Sequence, residues 1–392
     1  MNLQIAQRVQ TIKPSPTLAI TARAAEMRAA GKDIIGLGAG EPDFDTPRHI
    51  KEAAVEALNK GYTKYTPVDG IPELKNAVIN KFARDNQLDY GIKQVLVSSG
   101  GKQSIYNLAQ AFLNPGDEVI IPSPYWVSYP DIVMLAGAIP VILQTGIKQN
   151  FKITAKQLEA AITDQTRLFF INSPSNPTGV HYTPEELEAL GAVLRNYPKI
   201  LVATDDMYEH ILWEGGPFKN ILNVCPELYD RTIVLSGVSK AYSMTGWRIG
   251  YAAGPDQIIQ KMKIIQSQST SNPTSISQYA AVAALEGDQS FIEKMIALFK
   301  KRHDFVLDSV LKIEDIQCLP AQGTFYLFPY MEKVMQRLDI KTDVELSEFL
   351  IEKAGVALVP GSAFGAQGYI RISFATSMET LKEAMQRIRN VL

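Results

Sequence analysis

The feature that most constrains the fold is a repeated alternation of short apolar runs with longer helical patterns between residues 94 and 253. The apolar runs have the length of β-strands and are bounded by turn residues. Near-continuous apolar strands that alternate with helices are typical of a mostly parallel sheet flanked by helices. Strands are predicted at residues 94–98, 118–122, 139–144, 167–172, 200–204, 232–235 and 249–253. The sequence therefore predicts an α/β fold.

The chain changes in character on either side of this region. Residues 1–45 are interpreted as an N-terminal arm and part of a small domain, 46–289 as a large domain, and 290–392 as a smaller α+β domain. A length of 392 residues exceeds the usual size of one domain, which supports this division. Further helices are predicted at about 17–30, 48–60 and 71–87, and further strands at 33–37, 323–328 and 369–374.

Composition excludes several classes of protein. The net charge of −2 provides no basic surface for nucleic acid or for an anionic membrane. No stretch approaches the length of a membrane span, and residues 1–30 have no apolar core of a signal peptide. Cys225 and Cys318 are too few for a disulfide framework and favour a reducing compartment, so we expect a cytoplasmic protein. No metal spacing is found among the histidines, which are His49, His181, His210 and His303.

Residues 236–251, with the sequence SGVSKAYSMTGWRIGY, contain the most informative side chain of the chain. Lys240 stands among small and hydroxyl residues directly after a predicted strand. Desolvation disfavours an ammonium, lowers its pKa and frees the amine to attack an aldehyde. A surface lysine after a strand is the ordinary interpretation of such a segment. The following Gly-Trp-Arg-Ile-Gly-Tyr favours imine chemistry instead.

This segment resembles the pyridoxal-phosphate lysine motif of the class I aminotransferases of fold type I. The resemblance extends, in order and spacing, from Lys13 to Arg371. It implies pyridoxal 5'-phosphate as cofactor, a large domain with a smaller one, and a homodimer with shared active sites. It also implies that Lys240 holds the cofactor as an internal aldimine and then carries the proton between the substrate Cα and the cofactor.

The resemblance assigns four residues to the cofactor ring. Asp205 and Tyr208 match the family's Asp-x-x-Tyr, so Asp205 is expected to pair with the ring nitrogen and Tyr208 with the phenolic oxygen. Asn176 is expected to donate to the same oxygen, and Trp126 to stack on the ring. Asn176 and Trp126 are also expected to contact the substrate. From the residues alone, Asp205 serves equally well as a helix cap and Asn176 as a turn residue.

The cofactor phosphate needs several fixed donors. Residues 99–102, Ser-Gly-Gly-Lys, precede a predicted helix, so the backbone around Gly101 and Lys102 forms an anion site at a helix N-terminus. By resemblance, Arg248 adds a charge-assisted contact. Tyr65 matches a tyrosine that reaches the phosphate of the other subunit. Part of the family has a hydroxyl where this chain has Gly237, and the neighbouring serines at 236 and 239 are alternatives.

Two further residues are expected to bind the substrate's α-carboxylate end. Arg371 lies inside a predicted apolar strand, where an unpaired arginine is costly, and a substrate carboxylate is a suitable partner. The family's carboxylate-binding arginine falls here. Gly40 matches the loop glycine whose backbone contacts the substrate. A dinucleotide-binding interpretation of glycines 36–40 fails because Pro42 blocks the required helix.

The side-chain pocket decides which amino acid is used. One branch of the family reads a second carboxylate with an arginine five residues before an asparagine that matches Asn272, but this chain has Ser267 there. Another branch, of bacterial aspartate and prephenate aminotransferases, uses lysines that match Lys13 and Lys102. We therefore expect ping-pong transamination of L-aspartate with 2-oxoglutarate. The alternatives are an aromatic or prephenate aminotransferase and a β-lyase on the same fold. A sensor domain and a nicotinamide-dependent oxidoreductase are less favoured alternatives.

Overall fold

A computed structural model describes residues 3–12 and 16–392 of the chain. Its strands are β1 (Ile35–Gly36), β2 (Val95–Ser98), β3 (Glu118–Ser123), β4 (Ile139–Gln144), β5 (Thr166–Asn172), β6 (Leu201–Asp205), β7 (Thr232–Gly237), β8 (Gly250–Ala253), β9 (Tyr326–Leu327), β10 (Val356–Ala357), β11 (Val359–Pro360) and β12 (Ile370–Ser373).

The helices follow the same chain order. They are α1 (Gln7–Gln10), α2 (Pro16–Ala29), α3 (Arg48–Asn59), α4 (Pro72–Lys81), α5 (Gly101–Phe112), α6 (Ser128–Leu135), α7 (Ala155–Ala161), α8 (Pro184–Arg195), α9 (Ile221–Val224), α10 (Asp256–Ser267), α11 (Ser275–Glu286), α12 (Ser290–Leu311), α13 (Glu332–Arg337), α14 (Asp343–Lys353) and α15 (Met378–Val391). Within the described ranges, no helix has both the length and the apolar character that a membrane crossing requires.

The centre of the fold is a seven-stranded sheet with the order β2-β8-β7-β6-β5-β3-β4. Strands β3 to β7 pair in parallel, whereas β8 runs antiparallel to both of its neighbours. The prediction of an α/β fold with a mostly parallel sheet is confirmed. The seven predicted strands all form, with bounds that differ by at most two residues.

Each central strand is buried on both faces, which explains why it appears in the sequence as a continuous apolar run. In β5, Phe169 packs into one apolar cluster, whereas Leu168 and Phe170 pack into a second cluster on the opposite face. This alternation is the ordinary period of two in a strand. Helices α5 and α10 pack on β2 and on the face of the second cluster. The sheet is thus enclosed between two helical layers.

Two small sheets join distant parts of the chain. Strand β1 pairs in parallel with β10, which places Ile35 opposite Val356. Strands β11, β12 and β9 form an antiparallel sheet that carries Arg371 in its middle strand. The predicted strand 323–328 is shorter than expected, because Thr324 adopts a left-handed backbone with φ of 66° and interrupts the extended run. The division into domains stays a prediction.

Candidate active site

A cavity of about 420 Å³ opens where the parallel strands of the central sheet end. Because β5, β6 and β7 are parallel, their carboxyl ends lie at the same edge, where α/β proteins commonly bind ligands. Of the predicted site residues that the structure describes, all except Tyr65 line this cavity. Its wall contains Gly40, Gly101, Lys102, Ile105, Trp126, Val127, Asn172, Asn176, Asp205, Met207, Tyr208, Ser239, Lys240, Arg248, Tyr326, Phe364 and Arg371.

Lys240 lies in the turn that follows β7, with its amine inside the cavity. Its Nζ donates a hydrogen bond to the carbonyl oxygen of Gly40. Desolvation by burial, together with the positive charge of Arg371, lowers the pKa of Lys240 to about 8. A larger fraction of this amine is therefore unprotonated at neutral pH than in an exposed lysine, which suits a nucleophile and a proton carrier.

Asp205 ends β6 and presents a buried carboxylate to the cavity. Its Oδ2 accepts a hydrogen bond from the Tyr129 hydroxyl at 2.5 Å, and its backbone carbonyl accepts from Asn172 Nδ2 at 2.8 Å. Burial raises the pKa of Asp205 above the usual range of a carboxyl group. No helix begins in the described residues directly after it, so the helix-cap interpretation is wrong. A protonated ring nitrogen is a fitting partner for this carboxylate.

Asn176 and Tyr208 each have a hydrogen-bond partner that also lines the cavity. Asn176 Oδ1 accepts from Arg371 Nη1 at 2.9 Å, which leaves the amide Nδ2 as the donor end of the side chain. The hydroxyl of Tyr208 lies 3.0 Å from the hydroxyl of Tyr326. Both side chains can therefore present a donor to an oxygen atom in the cavity.

Arg371 is a buried cation, only 2% exposed, on β12. Its Nη2 donates to the carbonyl oxygen of Gly38 at 2.8 Å, and its guanidinium lies 4.4 Å from the ring centre of Tyr326. Its Nε has no hydrogen-bond partner. In the described part of the chain, no carboxylate lies within ion-pair distance of it. A buried charge without a counterion is costly, so this arrangement fits a site for an anionic ligand.

The corner of the cavity at the start of α5 is built from residues without side chains. A Cβ atom on Gly100 would lie 2.3 Å from Arg248 Nη2, and one on Gly250 would lie 2.2 Å from the backbone nitrogen of Gly101. The missing side chains thus let backbone N–H groups and the Arg248 guanidinium converge. Together with the helix N-terminus they form a site for an anion such as a phosphate.

The sequence of residues 32–388 matches the family model described as aminotransferase class I and II. The chain belongs to this family. The predicted recognition of a class I, pyridoxal-phosphate-dependent aminotransferase is thereby confirmed.

Named relatives cover the whole of this aminotransferase. It is 58% identical to the aspartate/prephenate aminotransferase of Nitrosomonas europaea, over 100% of both chains. It is 50% identical to the aspartate aminotransferase of Geobacillus stearothermophilus, over 100% of this chain and 99% of the relative.

Solved structures agree with this assignment. The aspartate aminotransferase from Rhizobium meliloti superposes with a TM-score of 0.95 at 46% identity, over 100% of this chain and 99% of the other. The aspartate aminotransferase from Thermus thermophilus with maleate gives 0.94 at 42% identity, over 100% of both chains.

The donor set of this aminotransferase fits pyridoxal phosphate. The glycine corner and Arg248 can hold a phosphate, and the buried Asp205 carboxylate can hold a protonated ring nitrogen. Asn176 Nδ2 and the Tyr208 hydroxyl can donate to the ring oxygen, and Lys240 supplies the amine that binds the aldehyde. These roles follow from the donor chemistry and from the family, and each of them stays a prediction.

The remaining predicted residues are Trp126, Lys102, Tyr65 and Lys13. Trp126 lines the cavity and packs edge-on against Tyr129, and the ammonium of Lys102 lies 5.0 Å from the centre of its ring. Partial burial, and then the charge of Arg248, lower the pKa of Lys102. Tyr65 is 93% exposed and touches no part of this cavity. Lys13 lies outside the described residues.

The two serines near Lys240 differ in their surroundings. A Cβ on Gly237 would lie 3.0 Å from Gly250 Cα, so this position is crowded. Ser236 Oγ donates to Glu209 Oε1 at 3.1 Å, away from the cavity wall. Ser239, by contrast, lines the cavity. Of the two alternatives, Ser239 is therefore the hydroxyl that faces a ligand.

Several residues in or next to the cavity wall were not predicted from the sequence. Tyr129 binds Asp205 across 76 positions of sequence, and Tyr326 meets Tyr208 across 118. Asn172 ends β5 and orients the Asn176 backbone through a hydrogen bond of 2.9 Å. Asn172 could have been predicted from the sequence, because a polar residue at the carboxyl end of a parallel strand indicates a ligand-binding position. For the two tyrosines the sequence contains no local signal. Over the described residues, no group of histidine, cysteine and acidic side chains could hold a metal.

Proposed function

We propose that this aminotransferase transfers the amino group of L-aspartate to 2-oxoglutarate by a ping-pong mechanism. The observation that carries the proposal is Arg371, a buried guanidinium that has no counterion among the described residues and shares one cavity with the amine of Lys240. Both substrates carry an α-carboxylate, and a guanidinium binds a carboxylate through two parallel hydrogen bonds. The binding of either substrate would therefore neutralise a costly buried charge.

The residues of the cavity have complementary tasks in this reaction. Bound pyridoxal phosphate supplies a reactive aldehyde carbon and a ring that withdraws electrons from the substrate Cα. Arg371 would orient the α-carboxylate, and the Lys240 amine would take the proton from Cα and, as an acid, deliver it to the cofactor carbon that carried the aldehyde. Asp205 keeps the proton on the ring nitrogen. Tyr208 and Asn176 stabilise negative charge on the ring oxygen.

Lys102 is the residue best placed to select a second carboxylate. Lys102 lines the cavity, and its ammonium lies beside the ring of Trp126. The Thermus relative is described with maleate, a dicarboxylate, which supports a distal anion in this part of the family. Lys13 was assigned the same task from the sequence and stays a prediction.

A second candidate substrate is prephenate or an aromatic amino acid. The printed name of the Nitrosomonas relative includes prephenate. Three aromatic side chains, Trp126, Tyr326 and Phe364, line the same cavity and can pack against a ring. The decisive experiment is a panel of amino donors with 2-oxoglutarate, with formation of glutamate as the readout, together with a panel of oxo acids that includes prephenate, with L-aspartate as the donor. Aspartate as the best donor supports the proposal. Pyruvate and ammonia formed without an oxo acid would instead indicate a β-lyase.

We also infer a homodimer with shared active sites. Tyr65 is almost fully exposed in the isolated chain, although the family places the matching tyrosine at a partner's phosphate. Mixing Lys240→Ala and Tyr65→Ala chains tests this, because one site of the mixed dimer regains both residues. Activity above that of either variant alone is expected, and no recovery in a verified mixed dimer would contradict sharing. The cytoplasmic location stays a prediction.

A further inference from the structure

A buried charged cluster that the proposed reaction does not use lies next to Tyr208 in the sequence. We call Lys81, Asn86, Glu209 and Ser236 the Glu209 cluster. Lys81 Nζ and Ser236 Oγ both donate to Glu209 Oε1, the latter at 3.1 Å, and Asn86 Nδ2 donates to Oε2 at 2.8 Å. The side chains of Lys81 and Glu209 are 0% and 4% exposed. One carboxylate thus collects donors from two separate segments of the chain, residues 81–86 and β7.

The Glu209 cluster is not explained by stability alone. A buried ion pair contributes no more to stability than well-packed apolar residues of the same volume, and often less. Burial acts to raise the pKa of Glu209, but the Lys81 ammonium outweighs it and holds this pKa at about 2. The Glu209 carboxyl group therefore stays ionised at physiological pH. What a charged pair adds to apolar packing is a fixed geometry of directional hydrogen bonds.

Helix α4 is distorted at the cluster. It ends at Lys81, and Phe82–Asn86 continue as a π-helical turn that Gln87 closes with a left-handed φ of 54°. Such turns are rare and occur often at functional sites. Within this turn the side chains of Lys81 and Asn86 both reach Glu209, and Lys81 Nζ also donates to Asn86 Oδ1 at 2.7 Å. The local backbone is thus shaped around the carboxylate.

The cluster connects the two segments that carry the proposed machinery. Glu209 directly follows Tyr208, and its backbone nitrogen donates to the carbonyl oxygen of Asp206 at 2.9 Å. Its partner Ser236 lies in β7, the strand that leads to Lys240. A single carboxylate therefore links the Tyr208 turn to the approach to Lys240.

We propose that Glu209 is a positioning residue, whose carboxylate holds the Tyr208 turn against β7 so that the Tyr208 hydroxyl keeps its place relative to Lys240. The inference rests on the proposed function, because it takes the Tyr208 hydroxyl as a donor to the cofactor's ring oxygen. Glu209 is absent from the cavity wall and acts through Tyr208.

The test uses the visible spectrum of the holoenzyme across pH. A hydroxyl that donates to the ring oxygen stabilises the deprotonated form of the bound cofactor, so a misplaced donor raises the pH midpoint of the spectral change. Glu209→Gln keeps the shape of the side chain and removes its charge. It should raise the midpoint by roughly half to one pH unit, the equivalent of one hydrogen bond. Tyr208→Phe should raise it at least as much.

The double variant Glu209→Gln/Tyr208→Phe separates positioning from a general loss of stability. If Glu209 acts through Tyr208, the double variant shifts the midpoint no further than Tyr208→Phe alone. Additive shifts would overturn the proposal. So would a Glu209→Gln protein that is less stable but titrates like the wild type.

Glu186→Gln is the matched control. It removes a carboxylate from a lysine, Lys152, in a pair that is 38% and 11% exposed and outside the cavity. It should leave the midpoint unchanged, and an equal shift there would overturn the proposal. If Glu209→Gln does not fold, Ser236→Ala takes its place, because it removes one contact to the same carboxylate. This variant should raise the midpoint by a smaller amount, and an unchanged midpoint would overturn the proposal. A wild-type protein without any cofactor band would contradict the proposed function itself.

Discussion

Arg371→Met should remove most of the enzyme's ability to use substrates with an α-carboxylate, without loss of stability in the cofactor-free protein. The guanidinium is positioned to make two charge-assisted hydrogen bonds, each worth about 1.5–3 kcal/mol. Their loss, about 3–6 kcal/mol, lowers kcat/KM by a factor of roughly a hundred to twenty thousand. Arg371→Lys keeps the charge but loses the planar fork, so its loss should be intermediate.

The thermal stability of Arg371→Met should not fall together with its activity. Arg371 is buried without a carboxylate among the described residues, so replacing it with an apolar side chain removes an unpaired charge, which offsets the loss of its hydrogen bonds to Asn176 and Gly38. Its Tm in the apoprotein should stay level or rise, which differential scanning calorimetry measures.

Arg231→Met is the control for this experiment. Arg231 lies outside the cavity and donates to the backbone carbonyls of Leu194, Tyr197 and Ile200. Its replacement should lower Tm and leave kcat/KM for L-aspartate and 2-oxoglutarate unchanged. The reasoning is refuted if Arg371→Met retains kcat/KM within about threefold of the wild type.

Three further predictions concern individual contacts of the cavity. Lys102→Met should lower kcat/KM for L-aspartate roughly fivefold, because a partly exposed charge pair contributes about 1 kcal/mol. The kcat/KM for L-phenylalanine should stay unchanged in the same steady-state assay. An equal loss for both donors would contradict its selective role. Tyr129→Phe removes the hydroxyl bound to Asp205, so kcat should fall roughly tenfold or more at constant KM. A change in KM alone would show that Asp205 does not depend on this contact. Cofactor attachment to the apoprotein should accelerate with rising pH and level off above about 8, because burial and Arg371 lower the pKa of Lys240 to about 8. Stopped-flow spectra measure this, and a midpoint near that of a free lysine, about 10.5, would contradict it.

The sequence predicted those parts of the fold that depend on local pattern. The apolar runs of the central strands follow from burial on both faces, and the motif around Lys240 led to the family. The bounds of α4 were missed, because contacts of Lys81 and Asn86 with Glu209, more than a hundred positions away, decide where the helix changes form. The late start of β9, at Tyr326 and not at residue 323, has a similar cause, since the backbone nitrogen of Thr324 donates to the distant carbonyl oxygen of Ile211.

The residues of the candidate site also divide into those that a local sequence pattern predicts and those that depend on distant contacts. Residues that stand in short motifs, such as Asn176 and Asp205, could be chosen from the sequence, and ten of the predicted residues line one cavity. Tyr129 and Tyr326 could not be chosen, because their partners are distant in sequence and each resembles an ordinary core tyrosine. The crowding at Gly237 likewise depends on Gly250 of the neighbouring strand β8.

The most direct test of the central claim is the visible spectrum of the purified holoenzyme during successive additions of L-aspartate and 2-oxoglutarate. The account predicts a cofactor band that bleaches with aspartate, returns with 2-oxoglutarate, and is lost or displaced in Lys240→Ala. A band that aspartate leaves unchanged would contradict aspartate as donor. A protein that shows no band after reconstitution with pyridoxal phosphate, or the same band in Lys240→Ala, would contradict the role of Lys240.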